Sequence, residues 1–196
     1  MKKYAHITLL LITMTLIAIS CNKPKEQDSK EEAVEENKDK FAETDLKADW
    51  EFAVKAAAGG LMEVELGKLA QSKATDPQVK AFGESMVTDH GKANEELKSL
   101  AQQKNISIPD SLSEEHKKKF DDLAAKSGKD FDEAYIKHMV DDHEKDISEF
   151  KDESENGKDP ELKSWAAAKL PILTHHLEMA KQAKENAERK DDKAKK

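Results

Sequence analysis

Each long helical segment of this sequence carries one metal-ligand type of residue on or near its predicted inner stripe. The four residues are Glu63, His90, His143 and His176. Apolar residues flank each histidine at three- and four-residue steps, as Ile172 and Met179 flank His176. This spacing is typical of the buried stripe of a helix. Because imidazole and carboxylate groups bind transition metals, the pattern predicts a metal site in a helical core.

Methionines accompany these four residues. The chain beyond residue 20 has four methionines, each within four residues of one of them: Met62, Met86, Met139 and Met179. Imidazole with thioether suits copper, especially Cu(I), whereas imidazole with carboxylate suits zinc, iron or manganese. We therefore predict copper or zinc ahead of iron or manganese. The predicted auxiliary ligands are Met86, Met139, Met179 and His175.

An inert polar core is the alternative interpretation of the same residues. Methionine fills gaps in a core with few aromatic residues, and buried histidines can hydrogen-bond to neighbouring helices. Packing three titratable rings without such partners is costly, which favours the metal site. Di-iron chemistry is not predicted, because Val87, Val140 and Leu173 stand where that motif needs glutamate. His116 and His138 are predicted to lie on the surface.

Helical periodicity predicts how these residues are positioned. Long helices are expected from Asp45 to Ser72, from Asp76-Pro77, after Asp130 and from Asp159-Pro160, with a short helix over about 113–126. No long window alternates with the period of a strand. The repeat of MVTDH as MVDDH relates the two hairpins that these helices form. The predicted fold is all-α: a ferritin-like antiparallel four-helix bundle with one short extra helix in the crossover.

The positions of the four residues along their helices predict that they meet. His90 lies 14 residues after Asp76 and His176 lies 17 after Asp159, while Glu63 lies 13 before Asp76 and His143 lies 16 before Asp159. These depths differ by four residues at most, about 6 Å of helix. In the first long helix, Gly59, Gly60 and Gly67 predict close approach by a neighbouring helix.

The amino terminus has the features of an export signal. Residues 1–20 combine two lysines, an apolar run of 13 residues and a small residue before Cys21, which predicts a cleaved signal peptide. The AIS-C junction resembles a bacterial lipobox, so Cys21 is the predicted lipidation site. Residues 22–44 contain 13 charged residues and few apolar ones, which predicts a disordered tether over 21–44. The bundle is expected over 45–183, followed by a charged tail over 184–196.

The charge of the chain restricts its partners. Residues 1–20 carry two lysines and no acidic residue, so their removal changes the net charge from −8 to −10. Nucleic acid is excluded as a partner, because its binding needs basic patches. The predicted partner is the membrane, through the lipid anchor, with another envelope protein as a further candidate. The expected location is the cell envelope, either facing the periplasm or at the outer membrane.

Four motifs in order resemble one known family. They are AAAGGLMEVELGKLA, MVTDHGKANEEL, FDEAYIKHMVDDH and LPILTHHLEMA, within about Phe52 to Gln182. Together they resemble a bacterial family of uncharacterised exported domains of unknown function, whose members are labelled outer-membrane or secreted proteins. The resemblance implies a ferritin-like fold and no assigned catalytic residue. We predict a non-enzymatic, lipid-anchored envelope protein that binds a metal in its core, for envelope stress or metal handling. The first alternative is a structural or interaction module with an inert polar core, and the second is a metal-dependent enzyme.

Overall fold

The computed structural model describes residues 28–194 of the chain, and every regular element within that range is a helix. The helices are α1 (Ser29–Lys40), α2 (Lys47–Lys73), α3 (Pro77–Gln103), α4 (Glu114–Ala124), α5 (Gly128–Asn156) and α6 (Pro160–Ala194). Helices α2 and α3 form one hairpin, and α5 and α6 form the other. The hairpins pack with α2 against α5 and α3 against α6, while α4 spans the crossover beside α2 and α5. The predicted all-α, ferritin-like bundle is confirmed.

The two Asp-Pro helix starts are capped as the sequence predicts. The side chain of Asp76 accepts a hydrogen bond from the amide of Gln78 at 2.8 Å, and Pro77 is the first residue of α3. Asp159 accepts hydrogen bonds from the amides of residues 161 and 162. Both helices therefore begin at a proline that follows an aspartate cap.

A buried aspartate from the opposite hairpin holds each of these turns. Asp132 of α5 accepts hydrogen bonds from the amides of residues 75 and 76, at 3.1 and 2.9 Å. Asp49 of α2 accepts hydrogen bonds from the amides of residues 158 and 159, at 2.7 and 2.6 Å. Both carboxylates are buried. Because each hairpin ties down the turn of the other, the helices cannot slide past one another without breaking charge-assisted hydrogen bonds.

Glycines set the distance between α2 and α3. A Cβ added at Gly67 would lie 2.7 Å from the carbonyl oxygen of Gly83, and one added at Gly83 would lie 2.8 Å from the carbonyl oxygen of Gly67. A Cβ at Gly60 would collide with Asn94, whereas one at Gly59 would meet nothing within 4 Å. The predicted close approach is therefore present at Gly60 and Gly67 and absent at Gly59.

Residues 29–40 differ from the prediction of a disordered tether. They form α1, which packs on α2. Asn37 is fully buried, and its side chain donates to the carbonyl oxygen of Ser107 at 2.7 Å and accepts from the Ser107 amide at 2.8 Å. Ala33, one turn earlier, is buried in the same apolar cluster as Trp50. The prediction was wrong because it used average composition, whereas docking depends on one narrow stripe of α1.

The remaining predicted boundaries are those of the signal peptide at the amino terminus and of the charged tail at the carboxyl terminus. Cys21 and the predicted signal peptide lie outside the described residues. At the other end, α6 continues without a break through Pro171 into the predicted charged tail, and residues 184 and 185 are exposed. Within residues 28–194, no helix combines the length and apolar character needed to span a bilayer.

The glycine contact yields a matched pair of substitutions. Gly67→Ala should lower the free energy of unfolding by about 1–3 kcal/mol, because the new methyl group meets backbone that cannot move aside. Gly59→Ala should raise it by up to about 1 kcal/mol, since alanine favours the helix and the position is open. Urea unfolding of both variants measures the difference. Equal effects of the two substitutions would contradict close packing at Gly67.

A buried carboxyl near the α5–α6 turn predicts a pH dependence of stability. Burial, together with the negative charge of the neighbouring Asp49, raises the pKa of Glu153 from its usual 4.5 to about 7. Because the folded state favours the protonated form, this contribution to stability is complete below about pH 4.5 and is lost as the pH rises through about 7. Glu153→Gln keeps the shape and removes the titration. Its melting temperature relative to the unmodified protein should therefore increase between about pH 5 and pH 8. A constant difference across that range would refute the assignment.

Candidate metal centre

The predicted ligand-type residues form a polar layer between two apolar parts of the core. On every helix of the bundle, the polar residue separates residues of one buried cluster from residues of the others. The cluster on one side includes Leu66, Met86, Met139 and Ala180. The clusters on the other side include Val54, Leu97, Phe150 and Leu173. The antiparallel order of the helices thus brings Glu63, His90, His143 and His176 to one level.

The three imidazole rings form a nearly equilateral triangle. Their centroids are 5.5 Å apart for His90 and His143, 5.3 Å for His90 and His176, and 5.4 Å for His143 and His176. One ring nitrogen of each histidine lies within 4.8 Å of the other two. All three residues are buried, and Phe82 lies beside His143 and His176.

Two of the rings are held from outside the triangle by acceptors. Nδ1 of His143 lies 3.0 Å from the carbonyl oxygen of Met139, one turn earlier on α5. Nε2 of His176 lies 2.9 Å from Oδ2 of Asp89 on α3. A carbonyl or carboxylate oxygen needs a ring N–H as its partner. These contacts therefore place the single proton of each neutral ring at its outer nitrogen.

Glu63 provides the corresponding outer contact for the third ring. Its Oε2 lies 2.7 Å from Nδ1 of His90 and its Oε1 lies 3.5 Å from Nδ1 of His143. Nε2 of His90 is buried and has no hydrogen-bond partner among the described residues. His90 thus also presents one nitrogen to an outer carboxyl group and leaves the other without one.

Burial keeps the three rings neutral. Removal from water lowers the pKa of His90 to about 4, that of His143 to about 3 and that of His176 to about 4. For His143 the neighbouring rings His90 and His176 contribute to this lowering of the pKa, after burial. Burial also raises the pKa of Glu63 well above its usual range, and nearby Asp142 raises it further. At neutral pH each imidazole therefore has one proton and one free lone pair.

One proton cannot satisfy both contacts of His143. Its Nε2 lies 3.4 Å from Nδ1 of His176, and its Nδ1 donates to the Met139 carbonyl. Nδ1 of His176 is likewise without a proton, because Asp89 binds the other side of that ring. Two lone pairs therefore face each other in an apolar core, which is unfavourable unless a cation lies between them.

The spacing of two of the inner nitrogens fits a single transition-metal ion. Metal–imidazole bonds are about 2.0–2.1 Å, so two nitrogens on one ion are separated by roughly 3.3–3.6 Å. The separation of 3.4 Å between His143 and His176 lies in that range. Histidines that bind metals almost always give their other N–H to a carboxylate or carbonyl group, as these do. The residues present therefore match a three-histidine metal centre with Glu63 as an outer partner.

The predicted auxiliary residues have different environments. Met86 and Met139 are fully buried one turn from His90 and His143, and Met179 is partly buried against the same apolar cluster. His175 is exposed. Its ring belongs to the outer face of α6 and does not join the triangle.

Several residues at the centre were missed from the sequence. Asp89 binds His176, and Asp142 and Asp146 approach Glu63. The prediction that His116 and His138 lie on the surface is wrong: both are partly buried, and each has one buried ring nitrogen without a hydrogen-bond partner among the described residues. The four-residue steps from His138 to Asp142 and Asp146 could have indicated that these side chains share one face of the helix.

Comparisons with known proteins agree with this architecture. The sequence profile of DUF4142, a domain of unknown function, matches residues 33–183. No functionally curated protein shows significant similarity to the chain. The match begins within α1, so the family domain includes residues 33–40 of that helix as well as the bundle.

Two solved structures share the fold. CopM in the Cu(I)-bound form has a TM-score of 0.60 and 20% sequence identity, and CopM in the Cu(II)-bound form has a TM-score of 0.60 and 19% identity. Each alignment covers 70% of this chain and 96% of the CopM chain. At this level of identity the likeness concerns the fold.

Proposed function

We propose that this chain, which belongs to the DUF4142 family, binds one copper ion through His90, His143 and His176. The donor atoms would be Nε2 of His90, Nε2 of His143 and Nδ1 of His176. The observation that supports the proposal most strongly is the pair of outer contacts of His143 and His176, which turn two unprotonated nitrogens toward each other at 3.4 Å. Binding of one cation would convert these two mutually repelling lone pairs into metal–nitrogen bonds, with the unpartnered Nε2 of His90 as the third donor.

Copper fits this donor set better than zinc. Structural zinc sites almost always have four protein ligands, whereas the triangle supplies three. Soft thioethers favour Cu(I), and Met86 and Met139 are buried one turn from two of the histidines. The fold is also that of CopM, which has been solved in Cu(I)-bound and Cu(II)-bound forms.

The proposed role is non-enzymatic metal handling at the cell envelope. Export and lipidation at Cys21 would place the domain outside the cytoplasm, facing the periplasm or at the outer membrane. Copper bound within a buried polar layer would be shielded from thiols and oxidants. The alternative is an interaction module whose histidines form an inert polar core, and it predicts no gain in stability with metal.

A thermal shift distinguishes these functions. At free Cu(I) a hundredfold above Kd, binding adds about 2.7 kcal/mol to the stability. For a domain of this size the melting temperature should increase by roughly 5–10 °C. His176→Ala should abolish the increase, because it removes one of three ligands. The shift is measured for each variant against its own metal-free state, so that any loss of basal stability is subtracted.

His175→Ala is the matched control. It removes the adjacent, exposed imidazole and should leave the copper-induced shift intact. Absence of any shift in the unmodified protein would refute copper binding and favour the interaction module. An equal loss in both variants would show that copper binds at the surface of α6.

The anchor is tested by changing its cysteine. Cys21→Ser should move the protein from the membrane fraction to the soluble fraction, because the acyl chains that hold it cannot be attached. Fractionation and immunoblotting measure the distribution, and the variant should also accumulate with its signal peptide uncleaved. Unchanged membrane association would contradict lipidation at this residue.

A further inference from the structure

A second cluster of metal-binding side chains lies beside the three histidines. His138, Asp142 and Asp146 follow one another at four-residue steps on α5, so they share one face of that helix. The two aspartates approach Glu63 of α2, and one carboxylate oxygen of each of the three acids lies within 4.8 Å of the other two. The three acids Glu63, Asp142 and Asp146 form the cluster, and it uses no atom of the histidine triangle.

An oxygen of Glu63 points to a ligand in this cluster. Glu63 is 1% exposed, and its Oε1 has no hydrogen-bond partner among the described residues. The ring nitrogen 3.5 Å away belongs to His143, and its proton already goes to the Met139 carbonyl. A buried acceptor without a donor is costly. One oxygen of the same carboxyl group lies within 4.8 Å of carboxylate oxygens of Asp142 and Asp146, and their negative charge increases the cost.

The basic side chain near the cluster does not neutralise it. Lys145 acts electrostatically on Asp146, but its side chain is 69% exposed and its ammonium group lies 3.7 Å from Glu149. Three carboxylates that converge at the edge of a buried layer are stabilised by a cation held among them. Oxygen-only ligands suit hard divalent cations, such as Mn²⁺, Mg²⁺ or Ca²⁺.

We propose that Glu63, Asp142 and Asp146 form a second site, for a divalent cation that prefers oxygen ligands. Two oxygens on one such ion are separated by at most about 4–5 Å, which the cluster satisfies. Glu63 links the two centres. Its Oε1 binds the second cation, and its Oε2 holds His90, whose other nitrogen points to the first.

Manganese binding tests this site independently of copper. The purified protein is titrated with MnCl₂, and free Mn²⁺ is measured by electron paramagnetic resonance, in the absence of copper and with Cu(I) added. We expect one saturable equivalent of Mn²⁺. Asp146→Asn should weaken Mn²⁺ binding by at least about 10–100-fold. That is the loss of affinity seen even when a residue that only hydrogen-bonds to a metal ligand is substituted. It should leave the Cu(I)-induced thermal shift unchanged.

Asp141→Asn is the matched control, because Asp141 is exposed on the same helix and pairs with Lys137. It should leave Mn²⁺ binding unchanged. His176→Ala should retain Mn²⁺ while it loses Cu(I). The unmodified protein could bind one Mn²⁺ that Asp146→Asn weakens and Asp141→Asn does not, yet bind no copper. That result would support this second site and refute the proposed copper function.

Three results would overturn the second site. The first is the absence of saturable Mn²⁺ binding in the unmodified protein. The second is an equal loss in Asp141→Asn and Asp146→Asn, which would indicate diffuse attraction to surface charge. The third is loss of Mn²⁺ in His176→Ala, which would place both metals at one centre. Asp146→Asn removes a crowded carboxylate, so its metal-free melting temperature should be no lower than that of the unmodified protein, which checks its folding.

Discussion

A neutral imidazole has a single N–H, and this limit determines the character of the core. His143 and His176 each give that proton to an acceptor outside the triangle, the Met139 carbonyl and the Asp89 carboxylate. Nδ1 of His90 lies 2.7 Å from Oε2 of Glu63. The remaining three nitrogens converge in an apolar interior. An inert core of hydrogen-bonded histidines would place a proton in the 3.4 Å contact between His143 and His176, and the outer acceptors prevent this.

The bundle can maintain this arrangement because both the axial positions of its helices and the distances between them are fixed. Asp49 and Asp132 bind the turns of opposite hairpins, which sets the axial position of each helix pair. Gly67 and Gly83 bring α2 and α3 into backbone contact. Apolar clusters on both sides then enclose the polar layer. A displacement of one helical turn would separate the rings by about 5 Å and leave each buried polar group without its partner.

Much of this architecture was predictable from the sequence. The Asp-Pro caps and the three- and four-residue steps predicted α3 and α6 closely, and the depths from the caps predicted that Glu63 and the three histidines meet. Partners on other helices were harder to predict. The pairing of Asp89 with His176 depends on the rotation of two helices, which periodicity leaves undetermined by about a residue. The docking of α1 through Asn37 was hidden by its charged composition. The part-buried positions of His116 and His138 depend on where α4 crosses the bundle.

Diffraction from copper-loaded crystals at the copper absorption edge would locate the ion directly and test the central claim. We predict one anomalous peak inside the ring triangle, about 2 Å from Nε2 of His90, Nε2 of His143 and Nδ1 of His176. The contacts of Glu63, Asp89 and the Met139 carbonyl should be retained on the outer sides of the rings. A peak elsewhere, such as beside His116 and His138, or a triangle with no peak after copper loading, would contradict the account.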